Sequence, residues 1–418
     1  MNPSRAALVA TLCVVAFASA ASGQPTRPGV GGTRIVAIGD VHGSYEGFSG
    51  ILETAGLTDA RQRWVGGHTI LVQTGDIFDR GTGVRQALDL LMRLERDARR
   101  AGGRVEPLLG NHEVVNILGD FRDVSPAAFA SFADRRSESR RTRAYDDLVT
   151  STTRRGQQGT LAPRDTWMAA HPPGFIEYNA AIAPDGHYGR WLRTHKVVVA
   201  IGKTAFMHAG IRTDLPGGLA DVNRIVAEDI AAWDATKGAM VRAQLIPAFA
   251  TMKETIAAAT AEIERIDVAT KARTPLGKHV SHSFVADLRR TAAVEQSSLL
   301  IENGPMWFRG FAKWPETEEP QFTALLARLG LTRFVAGHTP MPTRRIMNRW
   351  GYRIFQIDTG MLGGQAFEGG RASALELVGD RVTAIYTDRR DVVIAGRADS
   401  GTIGVAAWAF RRGSPPRD

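Results

Sequence analysis

The sequence predicts an α/β fold, and three observations carry that expectation. Short apolar segments recur at Arg34 to Ile38 (RIVAI), Thr69 to Val72 (TILV) and Arg104 to Leu109 (RVEPLL), and each runs into a polar cluster: GDVHGS, GDIFDRG and GNHEVV. The intervals have helical length, Tyr45 to Ala55 and then Gly83 to Arg100, where Val84, Ala87, Leu88, Leu91 and Leu94 recur at helical spacing. Strand, helix, strand, helix, strand implies parallel strands with right-handed crossovers. All three polar clusters then share one carboxyl edge, where α/β proteins build sites.

Further along, Lys196 to Ile201 and Thr204 to Met207 read as a hairpin that turns at Gly202-Lys203 and ends in His208. Residues 332–336 (TRFVA) lead into GHTP, and Arg353 to Ile357 (RIFQI) into DTGM. A last hairpin, Ala374 to Val378 and Val382 to Thr387, turns at Gly379-Asp380. These segments are expected to form a second, partly antiparallel set of strands. Between His208 and His338 a long helical insertion is expected at about residues 212–300, with Ile246, Phe249, Met252, Ile256, Ile263 and Ile266 on one helix face. That stripe reads as core packing or a lid contact rather than a cofactor box.

Composition bounds the possibilities. With 418 residues, 44% of them hydrophobic, the chain can bury one large core or two ordinary ones, which excludes a disordered protein; the main domain is placed at 33–395. Residues 1–23 read as a secretory leader: Arg5 is the only charge, Ala6 to Phe17 are mostly apolar, and small-residue cleavage patterns follow at Ala18-Ser19-Ala20 and Ala21-Ser22-Gly23. The apolar part is too short to span a bilayer, so an exported protein, periplasmic or secreted and without stable membrane insertion, is expected. Residues 411–418 (RRGSPPRD) read as a frayed tail.

The single cysteine, Cys13, lies in the leader, after Leu12 rather than the small residue of a lipoprotein signal. The mature chain then has neither disulfide nor thiolate, so a metal would take imidazole, carboxylate or amide oxygen, which suits Mn, Fe, Zn or Ni. Net charge is +9, carried by 52 basic residues of which 7 are Lys. A basic surface suits nucleic acid, anionic lipid or phosphorylated ligands. No helix-turn-helix, RNA-binding or zinc-finger pattern accompanies it, and no nucleic-acid partner is expected. The densest basic stretch, Asp134 to Asp147, also holds four acids and reads as a solvated loop or helix face.

The polar clusters offer a metal site. In Asp40-x-His42 on an extended segment, side chains two apart point the same way and can hold one cation. Asn111, His208 and His338 supply an amide oxygen and two imidazoles for a second, and Asp76 is the natural bridge. Such a two-cation site suits activation of water and stabilisation of an anionic transition state. Taken alone, Asp76, Asp79 and Arg80 in GDIFDRG could be no more than a charged turn.

GDVHG, GDIFDRG, GNHE, HAG and GHTP, in this order and spacing over residues 34–360, resemble the calcineurin-like metallophosphoesterases, specifically the phosphoprotein phosphatase family. The resemblance implies a central β-sandwich of mixed sheets flanked by helices, and two divalent ions (Mn, Fe or Zn). One would be held by Asp40, His42 and Asp76, the other by Asp76, Asn111, His208 and His338. It also implies His112 as the general acid for the leaving oxygen, Asp79 as the acceptor on its other nitrogen, and Arg80 and Arg309 (in PMWFRG) as phosphate-binding arginines. Asp79 and Glu113 set the chain apart from bacterial dinucleoside-tetraphosphate hydrolases; Leu109 and QIDTGM (356–361) set it apart from the eukaryotic Ser/Thr enzymes. Together with WFRG, the leader and the insertion, these features resemble the Shewanella-like protein phosphatases, which implies a phosphoprotein substrate and a leaning toward phosphotyrosine. Two other readings stand beside it: a periplasmic phosphatase for nucleotides or other small phosphate esters, and a non-catalytic binder of phosphorylated partners. The second would show a missing ligand or acid, and none is missing.

Overall fold

Strand β1 (Arg34–Ile38) is apolar on both faces because both are covered. In the computed structural model, which describes residues 32–154, 161–273 and 281–396, Val36 and Ile38 share a core with Phe48, Ile51, Leu88 and Leu91 of the crossover helices α1 (Tyr45–Thr54) and α2 (Val84–Arg100). Ile35 and Ala37, on the opposite face by the two-residue period, share a second core with Phe206, Val335 and Phe355. The expected leader and tail lie outside the described residues.

Two mixed sheets sandwich that second core. β2 (Ile70–Gln73) and β3 (Arg104–Pro107) continue β1 in parallel, Ile35 opposite Ile70 and Ile70 opposite Arg104. The other sheet holds β4 (Val198–Ile201), β5 (Thr204–Met207), β6 (Arg333–Ala336), β7 (Met347–Arg349) and β8 (Ile354–Gln356), in the order β4-β5-β6-β8-β7. Its central strands β5, β6 and β8 are parallel. The α/β class with mixed sheets flanked by helices is therefore what the chain forms.

Two expectations are corrected. The last hairpin, β9 (Ser373–Val378) and β10 (Arg381–Tyr386), does not join the second set of strands. It completes the first sheet, β9 antiparallel to β1 with Leu377 opposite Ile35, and β11 (Arg390–Ile394) follows at the edge. Leu375, Leu377 and Val382 reach the inter-sheet core from there, and β1 gains a neighbour on its open edge. Alternation identifies a strand but not the edge it will cover.

The second correction concerns the insertion. Its middle helix starts at Met252, so Ile246 and Phe249 precede it and share no helix face with Met252, Ile256, Ile263 and Ile266. Thr251 caps the helix: its hydroxyl accepts from Glu254 N at 3.3 Å, and Glu254 accepts from Thr251 N at 2.8 Å. The T-x-x-E spacing was the available signal. Ile246, Ile263 and Ile266 nevertheless pack in one cluster with Leu288 of the helix His282–Ala292, so the stripe is packing.

Among the described residues six helices lie between β3 and β4, from Asn111–Leu118 to His187–Leu192. The basic stretch enters one of them, Ser137–Arg154, after Asp134 to Arg136, and Arg140 on that helix pairs with Asp134 and Glu177. Among the described residues no helix is long and apolar enough to cross a membrane.

Candidate active site

Aligned parallel registers bring six strand ends together. β1 delivers Asp40 and His42, β2 delivers Asp76, Asp79 and Arg80, and β3 delivers Asn111 and His112; β5, β6 and β8 of the other sheet deliver His208, His338 and Asp358. A bond from Leu109 N to Lys196 O, 2.9 Å, ties β3 to the chain entering β4.

The turns that follow are strained. His42, Asp76, Asp79, Arg80 and His338 all have left-handed backbones, φ 48, 59, 70, 66 and 67°. Each costs about 1 kcal/mol or more and persists only where the surroundings hold it. Glu113 does much of that: its carboxylate accepts from the backbone nitrogens of Asp76, Ile77 and Gly110, each at 2.7 Å. A Cβ on Gly75 would overlap the Gly110 nitrogen, and one on Gly110 would overlap the Asp76 carboxylate, so both glycines are required by close approach. From sequence Glu113 was a marker of lineage; its structural task emerges only here.

The predicted ligands converge. Asp76 Oδ2 lies 3.4 Å from His208 Nε2 and 3.6 Å from His42 Nε2, while Asp40 Oδ2 lies 4.0 Å from His42 Nε2. His208 Nε2 lies 2.8 Å from Asn111 Oδ1 and 3.0 Å from His338 Nδ1. The tautomers follow from the outer nitrogens, which meet carbonyls that can only accept: His42 Nδ1 at Phe78 O, His208 Nδ1 at Thr74 O, His338 Nε2 at Trp307 O. Each inward nitrogen therefore carries a lone pair. His338 Nδ1 and Asn111 Oδ1 gather around His208 Nε2 beside the Asp76 carboxylate, and these acceptor atoms repel unless a cation lies among them.

The electrostatics agree. Burial, then neighbouring charge, holds His42 and His208 well below the usual imidazole range, and burial with Arg309 lowers His338 to about 3, so all three are neutral donors. Burial raises Asp40, with the charges of Asp358 and Asp76 adding to it; Asp76 rises to about 7. Carboxylates that resist ionisation beside neutral imidazoles form a donor set that a divalent ion would satisfy. Clusters of His42, Asp76 and His112, and of Asp76, His208 and His338, have ligand atoms close enough to hold a metal.

Of the remaining predicted residues, His112, Asp79 and Arg80 line the same centre and Arg309 does not. His112 Nδ1 donates to Asp79 Oδ2 at 2.6 Å, leaving Nε2 inward, 3.9 Å from Asp76 Oδ2. Burial opposes its charge, but Asp76 and the bond to Asp79 outweigh burial and raise it to about 9. Arg80 reaches Nε2 of His42 and of His112 at 2.9 and 3.2 Å, its guanidinium 5.2 Å from the Phe367 ring centre. Phe367, from the glycine-rich loop after β8, also stacks on His42 at 5.7 Å. Arg309 sits behind His338, its Nη1 donating to His338 O at 3.0 Å and Thr339 Oγ1 at 3.2 Å. Phe367, Asp358 and the Trp307 carbonyl were not anticipated; a lone aromatic in a glycine-rich loop, or a backbone carbonyl, leaves no readable signal.

Residues 33–218 match the model of the family described as calcineurin-like phosphoesterase, so this part of the chain carries a calcineurin-like metallophosphoesterase domain. Within that class it is similar to Shewanella-like protein phosphatase 2 of Arabidopsis thaliana, 33% identical over 215 residues that cover 48% of this chain and 51% of that protein. The match thus spans about half of the plant relative. An uncharacterised protein of Schizosaccharomyces pombe is 28% identical over 343 residues, 81% of this chain and 76% of that one. Among solved structures, a cold-active protein-tyrosine phosphatase of a psychrophilic Shewanella shares the fold, with TM-score 0.54, 22% identity, and coverage of 87% of this chain and 80% of that one.

Proposed function

We propose that the chain is an exported phosphomonoesterase that uses two divalent ions and acts on phosphoproteins, with a preference for phosphotyrosine. The observation that carries this reading is the position of His112: oriented by Asp79 on one nitrogen, it presents the other beside Arg80 and the Asp76 cluster. Asp40, His42, Asp76, Asn111, His208 and His338 would hold the ions, of which Mn, Fe and Zn suit the donor set. When bound, the ions supply a water acidic enough to attack phosphorus and neutralise charge on the phosphoryl oxygens.

The chain's own residues do the rest. Arg80 offers a planar fork to phosphate oxygens, held by Phe367 on one side. His112 gives the Nε2 proton to the departing alkoxide or phenoxide, and Asp79 stabilises the imidazolium before transfer. Arg309, behind His338, is the candidate second phosphate contact. A phosphoprotein substrate draws support from the plant relative's name, and phosphotyrosine preference from the sequence pattern shared with that group.

A substrate panel tests the reading. Purified protein loaded separately with Mn, Fe or Zn should hydrolyse a phosphotyrosyl peptide faster than a phosphoseryl peptide, and both faster than mononucleotides. Brisk nucleotide hydrolysis without peptide hydrolysis would replace it with the small-ester phosphatase. Export is tested separately: expressed in a bacterial host with its own N-terminus, the protein should be recovered outside the cytosol with its first residue after Ala20 or Gly23. A retained Met1 would overturn that part.

A further inference from the structure

The His112–Asp79 pair is one end of a longer buried chain. Asp79 Oδ2 accepts from His112; its other oxygen, Oδ1, accepts from Asn116 Nδ2 at 2.9 Å. The second hydrogen of that amide goes to His112 O at 2.8 Å, and Asn116 Oδ1 accepts from the Tyr178 hydroxyl at 2.7 Å. Every direction is fixed. Asn116 must turn its nitrogen to a carboxylate and a carbonyl, so its oxygen faces Tyr178, whose hydroxyl can only donate there. Asp79, Asn116 and Tyr178 are at most 1% exposed, so water does not compete.

The two ends come from different parts of the fold. Asn116 lies one helical turn after His112 on Asn111–Leu118. Tyr178 lies on the helix Phe175–Ile182, 62 residues further on, clamped among Phe121, Phe129 and Phe132 with ring centres 5.0 to 5.4 Å away. Aromatic clamping needs no hydroxyl; a phenylalanine would fill the same space. Among the described residues the hydroxyl's one partner is Asn116 Oδ1. Without that hydroxyl the buried Asn116 Oδ1 loses its donor, and the amide that holds Asp79 Oδ1 loses its outer anchor and is free to shift, loosening the carboxylate that aims His112.

We propose that Asn116 and Tyr178 are positioning residues for the proton donor, with Tyr178 anchoring the amide that holds Asp79 onto His112. The inference rests on His112 acting as general acid. A donor matters most when the leaving oxygen is a poor leaving group and least when it departs readily, which separates this role from a structural one.

The test compares an alkyl ester, a phosphoseryl peptide, with p-nitrophenyl phosphate, on metal-loaded wild type, Tyr178→Phe, Asn116→Ala and Phe132→Leu. Tyr178→Phe should lower kcat for the alkyl ester roughly tenfold and Asn116→Ala somewhat more, the range in which support around a site residue acts. KM, metal content and the rate on the nitrophenyl ester should stay within about twofold of wild type. Phe132→Leu, which loosens the same clamp but leaves the hydrogen-bond chain intact, should change both rates equally or neither. In metal-free protein, the proton resonance of His112 Nδ1–H should broaden in Tyr178→Phe and stay sharp in Phe132→Leu. Equal losses on both esters for Tyr178→Phe, or none on either, overturn the proposal. His112→Asn is run beside them: if its loss shows the leaving-group dependence and that of Tyr178→Phe does not, only the positioning role fails; if its own loss does not, the general-acid reading falls and this inference with it.

Discussion

Asp76→Asn should empty the metal centre and reduce phosphatase activity to background in one step. Among the described residues no other carboxylate serves both clusters: Asp76 Oδ2 faces His42 Nε2 at 3.6 Å and His208 Nε2 at 3.4 Å. An amide offers one weaker oxygen and no charge, so both clusters would lose the carboxylate they share. Stability should change in the opposite sense when metal is absent. Burial raises Asp76 to about 7 in the metal-free fold, partly offset by His112, against 3.8 for the free side chain. A raised folded pKa means that stability from the protonated carboxyl is fully present below about pH 4 and is lost as pH rises through about 7. At pH 8 the metal-free Asn variant, with no charge to bury, should melt no lower than metal-free wild type. Added Mn should raise the wild-type Tm and leave the variant's unchanged. Metal analysis, melting curves and turnover on one preparation check all of this; full metal content in the variant would remove Asp76 from the bridge.

His112→Asn should keep the metals and lose turnover by roughly two to four decades, the range for a lost general acid. His112 contributes its backbone nitrogen to Asp76 Oδ1 at 3.0 Å, a bond the variant retains, while its ring reaches Asp76 only at 3.9 Å. The asparagine can still face Asp79 but has no proton to give at the position of Nε2. Burial opposes the ring's charge, but Asp76 and Asp79 outweigh it and raise the ring to about 9 in the metal-free fold, the direction a proton donor needs. A fall in metal content with unchanged activity per bound metal would show that His112 is a ligand instead.

Much of the site was legible because its residues directly follow apolar strands. Asp40 and Asp76 stand just beyond runs that bury both faces and Asn111 just beyond the neighbouring strand β3, and aligned parallel strands must bring such ends together. The glycines beside them were legible as turn formers, although their real constraint is contact: Gly75 and Gly110 meet across two strands. The capping box at Thr251 was equally readable and shows how a helix boundary goes astray when apolar spacing alone is followed.

By itself the sequence determined which chemical groups exist and which strand end carries each: imidazoles, carboxylates and an amide, without thiolate, in the order of a phosphoesterase. Local rules suffice for that, since a strand, its turn and the next helix lie within a few residues. What only the tertiary structure decided are relations across long separations. The last hairpin pairs with β1, Glu113 holds three buried nitrogens of two turns, Phe367 braces Arg80, and Tyr178 meets Asn116. Each depends on which surfaces are driven out of water together, and burial acts on whole faces rather than on neighbours in sequence.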